Sequence, residues 1–314
     1  MIPGLLFGGR CLRFGKVVLQ QSPDPKIFKD VISELNLRPP VIIKPNWGTI
    51  NNYTEAQVLD GVLSAINGES IVVESYGWAR TEDALNGKGI GSLKRDDLRK
   101  SDRWFHNISG IGDVLKKHGV EYLNVTEEVW AKRVVEPGVV RKIAEKYPPV
   151  LFEEMYAQVP TRLFDLRGGT FLSLAKYRLN HEPIVVSLSL KNLFGMIPGP
   201  SRGRFHGKND CKLDQTIVDV NKVYHSLFKV SGIVDAVLTA SIGVVAEEAI
   251  KPKIVKNKGL LLGSEDCVKL DAFVAALEGK NPNKIGYLRL AASHFGGWDE
   301  RDLEDAKRSG IRIF

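Results

Sequence analysis

The sequence predicts an α/β fold: an open, mostly parallel sheet with helices on both faces, plus a smaller β-rich inserted element. Short apolar runs that suit buried strands alternate with segments whose apolar residues recur at helical spacing. This strand–helix–strand order favours parallel strands joined by right-handed crossovers. Hydrophobic residues form 43% of the 314-residue chain, which is enough for a sizeable core.

In the first part of the chain, each predicted strand is followed by polar residues. Strands are expected at 16–19, 41–44 and 70–74. A helix is predicted over 25–35, ending before Pro39 and Pro40. A second helix is expected to begin at Thr54, because Thr54 and Gln57 form a Thr-x-x-Gln capping box.

The middle of the chain is harder to assign. Residues 79–104 are polar and glycine-rich, which predicts a loop or lid with one short basic helix, and a lid or insertion is expected within 79–165. A helix at 111–117 and a strand at 122–125 are expected there, whereas 134–164 suits either an antiparallel pair or an insertion. With no repeat and no low-complexity linker, we expect one domain over 1–314.

The last part of the chain returns to alternating strands and helices. Strands are predicted at 170–175, 233–238, 244–255, 260–262 and 311–314, the third and fourth forming the β-rich element. Helices are predicted from about Lys212, from a Ser264 cap, and over 282–295 and 299–309.

Composition narrows the class of protein and its partners. The net charge of +7 suits nucleic acid, an anionic surface or a small anionic substrate. There is no block of Lys and Arg and no regular aromatic–basic pattern, so an ordinary solvated basic surface is favoured over a nucleic-acid groove. The partner that we predict is a small anionic metabolite. No apolar run has membrane-spanning length, and the start lacks the basic segment of a signal peptide, so a cytoplasmic protein is expected. The three cysteines form no CxxC motif.

The stretch from 179 to 207 holds most of the candidate chemistry. An apolar run leads to Lys191. If the side chain of this lysine is buried, its pKa is lowered and the unprotonated amine can act as a base or nucleophile. The alternative is a lysine that pairs with a carboxylate or reaches water. His181 and His206 flank Lys191 and suit proton transfer, or a metal ligand in the case of His206; the alternative is two surface loop histidines.

Basic residues near the predicted strand ends suit an anion. Arg202 and Arg204 lie in a glycine-rich loop, and Lys44 and Asn46 follow the strand at 41–44. In open α/β sheets this carboxyl edge is where ligands bind. The alternatives are a basic turn and strand-end capping. Three acidic residues are possible acids or cation partners: Glu74, Asp214 and Asp235.

Four segments resemble the family called domain of unknown function 362. They are IKPNWG at 43–48, AKYRLNH at 175–181, LKNLFG at 190–195 running on to Pro198 and Gly199, and EDCVKLDA at 265–272. From the second and third segments we predict substrate contacts by Lys176, Arg178 and Asn192. Many members carry an iron–sulfur segment that this chain lacks. The resemblance names no cofactor for this chain.

The spacing of His181, Lys191 and His206 is also similar to that in lactate racemases. There a lysine holds a nickel-pincer nucleotide, an upstream histidine moves protons and a downstream histidine binds nickel. The function predicted is therefore proton or hydride transfer on a small anionic metabolite, racemase- or isomerase-like. The alternatives are a non-catalytic anion- or nucleotide-binding module and a redox-associated protein without its own cluster.

Overall fold

The fold is built on one eight-stranded sheet. The computed structural model describes residues 11–22, 24–50, 52–85, 94–178, 186–199, 202–240, 255–311 and 313. The strands are β1 (Leu12–Phe14), β2 (Val17–Gln21), β3 (Val41–Pro45), β4 (Ser70–Glu74), β5 (Glu121–Asn124), β6 (Thr170–Lys176), β7 (Lys229–Ala240) and β8 (Val255–Ser264). Their order across the sheet is β1-β2-β8-β7-β6-β3-β4-β5.

The sheet has a parallel half and an antiparallel half. Strands β7, β6, β3, β4 and β5 pair in parallel. Strands β1, β2 and β8 continue the sheet from β7 with antiparallel pairing. The α/β class with a mostly parallel sheet is confirmed. The β-rich element that the sequence predicts corresponds, among the described residues, to strands that extend the main sheet; residues 244–254 lie outside the described part.

Helices cover both faces of the sheet. They are α1 (Lys26–Ser33), α2 (Ala56–Ala65), α3 (Glu82–Leu85), α4 (Arg95–Ile108), α5 (Ile111–His118), α6 (Val125–Trp130), α7 (Pro137–Ile143), α8 (Thr161–Asp165), α9 (Ser189–Asn192), α10 (Gly203–His206), α11 (Leu213–Leu227), α12 (Cys267–Leu277), α13 (Gly286–Phe295) and α14 (Glu300–Arg308). None of the described helices has the length and apolar character needed to cross a bilayer.

Side-chain alternation along the strands creates two apolar layers. In β3, Ile42 packs into the layer that contains α11 and α12, whereas Val41 and Ile43 pack into the layer that contains α1 and α2. All three side chains are fully buried. A strand that is buried on both faces requires a continuous apolar run, which is what the sequence shows at 41–43.

Several local predictions differ from the structure. Residues 95–108 form a 14-residue helix rather than part of a loop. Residues 134–164 are mostly short helical segments, with one antiparallel bridge between Val134 and Pro160. Glu55, not Thr54, precedes α2, because the Thr54 hydroxyl accepts from the backbone N–H of Asn46 instead. Asp266, not Ser264, caps α12, and no strand forms in the described residues after 309.

Because β6, β3 and β4 are parallel neighbours, their carboxyl ends meet at one edge of the sheet. Lys176 ends β6, Lys44 and Pro45 end β3, and Glu74 ends β4. The chain folds so that charged residues separated by 30 or more positions in sequence lie next to one another. This edge holds the candidate site.

Candidate functional site

A cavity of about 160 Å³ opens at the carboxyl edge of the parallel strands. Its lining includes four basic side chains and one carboxylate: Lys44, Arg178, Lys191, Arg202 and Glu74. Asn46, Ser75, Ser187 and Asn192 add polar groups to the same wall. Six of the ten residues predicted from the sequence as a site line this cavity: Lys44, Asn46, Arg178, Lys191, Asn192 and Arg202. The cavity carries an excess of positive charge.

At the floor of the cavity lies a buried ion pair between Lys44 and Glu74. Lys44 Nζ is 2.8 Å from Glu74 Oε2 and donates also to the carbonyl of Pro45 at 2.7 Å. A third, longer contact of 3.4 Å reaches Asn192 Oδ1. Burial lowers the pKa of Lys44 to about 8, and Glu74 offsets part of that effect. All three partners are acceptors, so the contacts require the protonated ammonium.

Asn192 connects the helical turn α9 to the end of β3. Its amide Nδ2 donates to the carbonyl of Lys44 at 2.8 Å and to Ser173 Oγ at 3.1 Å. An asparagine has both donors and an acceptor, so one side chain can bridge a carbonyl, a hydroxyl and an ammonium. Asn192 therefore holds α9, and with it Lys191, over the strand ends.

Gly195 permits the chain after α9 to pass directly over the ion pair. A Cβ at this position would lie 2.7 Å from Nζ and 2.8 Å from Cε of Lys44. Such distances are shorter than van der Waals contact, so any side chain would displace the lysine. The glycine in the LKNLFG segment thus has a steric reason, which is close approach of backbone to a charged pair.

Lys191 lines the cavity, and within the described part of the chain its ammonium has no direct partner. No described residue forms a hydrogen bond or ion pair with its ammonium, in contrast to Lys44. Burial lowers the pKa of Lys191 to about 8, and the neighbouring charge of Arg178 lowers it further. At pH 7 about a tenth of this amine is unprotonated; its predicted role as a base or nucleophile stays a prediction.

Arg178 is a second cation without a carboxylate partner among the described residues. Its Nη2 donates to Thr49 Oγ1 at 3.2 Å and to the carbonyl of Asn52 at 3.3 Å, while its buried Nε has no partner. Burial lowers its pKa to about 10. A buried guanidinium with only neutral acceptors is costly unless a ligand supplies the negative charge.

Arg202 ties the glycine-rich loop to the end of β4. Its Nε donates to the carbonyl of Ile197 at 2.8 Å, and its Nη2 donates to Ser75 Oγ and to the carbonyl of Tyr76 at 2.9 Å. Burial lowers its pKa to about 10. These partners are also neutral, so Arg202 adds positive charge to the wall opposite Arg178.

Lys176 and Asn46 have other local roles. Lys176 does not line the cavity; its Nζ lies 2.5 Å from Glu55 Oε2 and 3.0 Å from Asp235 Oδ2, and these carboxylates raise its pKa against the effect of burial. Asn46 lines the cavity, and its Oδ1 accepts from the backbone N–H of Gly48 at 3.5 Å. Lys176 is therefore a neutralised structural cation beside the site.

The remaining predicted residues lie away from the cavity or outside the described chain. Arg204 is 64% exposed and pairs with Glu154 on the surface. His206 Nδ1 is 2.7 Å from Asp210 Oδ1, and its ring packs edge-on against Phe194, which lines the cavity. His181 lies outside the described residues, so its predicted role in proton transfer stays a prediction.

Comparison with known protein families identifies the family. The sequence matches the family described as Domain of unknown function (DUF362) over residues 41–276. The chain belongs to the DUF362 family. No curated protein and no solved structure matches it significantly. The DUF362 region covers β3 to α12, which is the part of the chain that contributes every residue named in the cavity.

A nickel site of the lactate racemase type receives no support from the described part of this DUF362 protein. His206, its predicted metal ligand, is paired with Asp210 and does not line the cavity. The described residues contain no group of three or more His, Cys, Asp or Glu side chains arranged to bind a metal ion. The polar groups that line the cavity beside Lys191 are mostly cations, amides and hydroxyls, and its one carboxylate, Glu74, is already paired with Lys44.

Sequence reasoning missed one residue that holds the DUF362 site together. Asp271 on α12 accepts from the backbone N–H groups of Ser189 and Leu190 at 2.9 and 3.0 Å, and from Ser189 Oγ at 2.5 Å. It therefore caps the first turn of α9, which carries Lys191. The sequence could have indicated Asp271 through its place in the EDCVKLDA segment, which is one of the four segments that resemble the family.

A larger cavity of about 530 Å³ lies between α1 and α2, away from the strand ends. Its charged lining residues include Asp60, which is already paired with Lys117 and His118, and the lysines Lys26 and Lys29 at the surface. It contains no buried cation that lacks a counter-charge. The smaller cavity therefore remains the candidate site.

Proposed function

We propose that the 160 Å³ cavity binds a small anionic metabolite and that Lys191 moves a proton to or from it. The observation that carries this proposal is the pair formed by Arg178 and Lys191, two neighbouring cations with no carboxylate partner among the described residues. Folding two like charges together is unfavourable, and an anionic ligand between them would offset the cost.

The two cavity lysines are suited to different roles. Burial lowers the pKa of Lys44 to about 8 as well, but its ammonium makes two short hydrogen bonds and one long one to acceptors, and losing the proton would break this set of contacts. Lys191 has no such contacts, so losing its proton breaks no hydrogen bond. A general base works best when its pKa is near the working pH, and a pKa of about 8 meets that condition.

In this proposal Arg178 holds a carboxylate of the metabolite, and the unprotonated Lys191 amine removes a proton from the adjacent carbon. The resulting negative charge develops in a cavity that already carries excess positive charge, which stabilises it. Return of the proton from the Lys191 ammonium, to the same carbon or to a neighbouring one, gives exchange or isomerisation. No hydride acceptor is required.

Exchange of substrate hydrogen with solvent deuterium tests this role before the natural substrate is known. The protein is incubated in D2O with a panel of 2-hydroxy, 2-oxo and 2-amino acids, and loss of the proton beside the carboxylate is followed by NMR. We expect exchange with at least one acid in wild type and a loss of at least 100-fold in Lys191→Met. The control is Lys142→Met, since Lys142 is exposed on α7.

A non-catalytic anion-binding module is the second candidate. It is favoured by the absence, among the described cavity residues, of a second unpaired acid or base that racemisation would use. This candidate predicts that anions raise the melting temperature of wild type and, to a smaller degree, of Lys191→Met, while no acid in the panel exchanges deuterium. Exchange in wild type that is lost in Lys191→Met would exclude it.

A further inference from the structure

The two guanidinium groups of the cavity belong to different strand ends. Arg178 follows the end of β6 by two residues, and Arg202 bonds to Ser75 and Tyr76, which directly follow β4. Strand β3 lies between β6 and β4. Because neighbouring strands are about 4.8 Å apart, the two anchoring points are separated by about 10 Å.

Each guanidinium has spare donors. Arg178 uses Nη2 on Thr49 and Asn52, and Arg202 uses Nε and Nη2 on backbone carbonyls and on Ser75. Neither Nη1 forms a hydrogen bond to the described residues, and Arg178 Nε is also unpartnered. Since a guanidinium carries five N–H donors in a planar fork, both groups can still bind a carboxylate.

The charges of the cavity wall favour a ligand with two negative groups. Lys44 and Glu74 neutralise each other in a direct pair. Even if Lys191 is not counted, Arg178 and Arg202 are two positive charges that form no ion pair with a described carboxylate. A monoanion would compensate only one of them.

We propose that the occupant is a short dicarboxylate whose two carboxylates bind Arg178 at one end and Arg202 at the other. This inference rests on the proposed function and specifies its substrate class. The cavity of about 160 Å³ is smaller than the roughly 300–1,000 Å³ of pockets for drug-sized ligands, so a chain of about four or five carbons suits it better than a nucleotide. Arg178 fixes the carboxylate beside Lys191, and Arg202 sets the length and charge that the site accepts.

Calorimetric titration of the full chain with matched acids tests this assignment. Succinate and glutarate are compared with butyrate and pentanoate, which have the same carbon chains and one carboxylate fewer. Because the dicarboxylates add a second charge-assisted contact, we expect them to bind at least 10-fold more tightly. Equal affinity for the two classes within 2-fold overturns the dicarboxylate and leaves anion binding intact.

Two variants locate the second carboxylate. In Arg202→Gln we expect dicarboxylate affinity to fall at least 10-fold, while monocarboxylate affinity changes less than 3-fold. Arg204→Gln, which removes a nearby exposed charge, should bind both classes as wild type does. If Arg202→Gln keeps its preference for dicarboxylates, the inference is wrong.

Because Arg202 also holds the loop to Ser75, the melting temperature and circular dichroism of Arg202→Gln are measured first. The comparison of dicarboxylates with monocarboxylates in wild type does not depend on this variant, so it remains a decisive test if Arg202→Gln is unfolded. No detectable binding of either class by wild type at millimolar concentration contradicts the proposed function as well. The two failures are therefore distinguishable.

Discussion

Two clusters of charged residues lie side by side at the carboxyl edge of the sheet, and they differ in how their positive charge is compensated. In one, Lys176 lies between the carboxylates of Glu55 and Asp235. In the other, Lys191 and Arg178 line a cavity, and no described carboxylate forms a direct ion pair with either; Asp210 and Asp214 raise the pKa of Lys191 without contacting it, against the larger effect of burial. The clusters are adjacent, since Lys176 and Arg178 are two residues apart.

The comparison separates structural from ligand-binding charges. A buried cation that already has its counter-ions gains nothing from a further anion, whereas an uncompensated one does. The opposite pKa directions agree with this difference: carboxylates raise the pKa of Lys176, and burial lowers that of Lys191. The sequence predicts both lysines as site residues, Lys191 as a base and Lys176 as a substrate contact, and their partners in the structure distinguish a compensated cation from one without a direct counter-ion.

The largest expected difference between the clusters is in stability. Asp235→Ala leaves Lys176 buried with one carboxylate, and breaking a buried pair in this way costs about 3–5 kcal/mol of unfolding free energy. Lys191→Met removes a charge that has no partner, so we expect stability within about 1 kcal/mol of wild type or higher. Urea unfolding of the three proteins measures both. Equal destabilisation by the two substitutions would show that Lys191 has a protein partner after all.

The second effect concerns the backbone that shapes the cavity. A Cβ at Gly199 would lie 1.9 Å from the carbonyl oxygen of Tyr76, which a rigid backbone cannot accommodate. We expect Gly199→Ala to lose about 1–3 kcal/mol of stability and to weaken anion binding, because the loop that carries Arg202 must move. Gly203→Ala is the matched control, since nothing lies within 4 Å of its Cβ. Unchanged binding in Gly199→Ala would separate the loop from the site.

Much of the fold and part of the site could be predicted from the sequence. Strands β3, β4 and β6 are buried on both faces, so their apolar runs are continuous and visible. The carboxyl edge of the sheet follows from those strands, and with it the position of Lys44; the role of Lys191 stays a prediction. Helix α4 was missed because it is mostly charged and buries only a few residues, including Leu98 and Phe105.

The partners of the site residues could not be predicted, because they are distant in the chain. Glu74 was one of three candidate acids, and only the pairing of β3 with β4 places it at Lys44. Asp271 lies 82 residues from Ser189, and its carboxylate accepts a hydrogen bond from the backbone N–H of Ser189. Whether a lysine is neutralised depends on such contacts, and so Lys176 and Lys191 could not be distinguished without the structure.

A smaller effect should appear in the pH dependence of stability. The pKa of Lys191 is about 8 in the folded chain and near 10.5 when unfolded, so between these values the unfolded chain binds more protons. The free energy of unfolding of wild type should therefore rise from about pH 8 to pH 10.5 relative to that of Lys191→Met. Other groups, Lys44 included, titrate in both proteins and cancel. Urea unfolding at pH 7.5, 9 and 10 measures the difference, and parallel curves would contradict the lowered pKa.

The smallest effect is expected at Arg204, a cation of the same loop that lies outside the cavity. Its side chain is 64% exposed and its pairing with Glu154 is at the surface, where an ion pair contributes about 0–1 kcal/mol. Arg204→Ala should therefore keep wild-type stability within about 0.5 kcal/mol and change anion affinity less than 2-fold. Arg178→Ala, measured in the same titration, should weaken binding at least 10-fold. If both substitutions weaken binding equally, the ligand responds to the overall positive charge near the site. In that case, burial without a counter-ion does not identify the cations that bind the ligand.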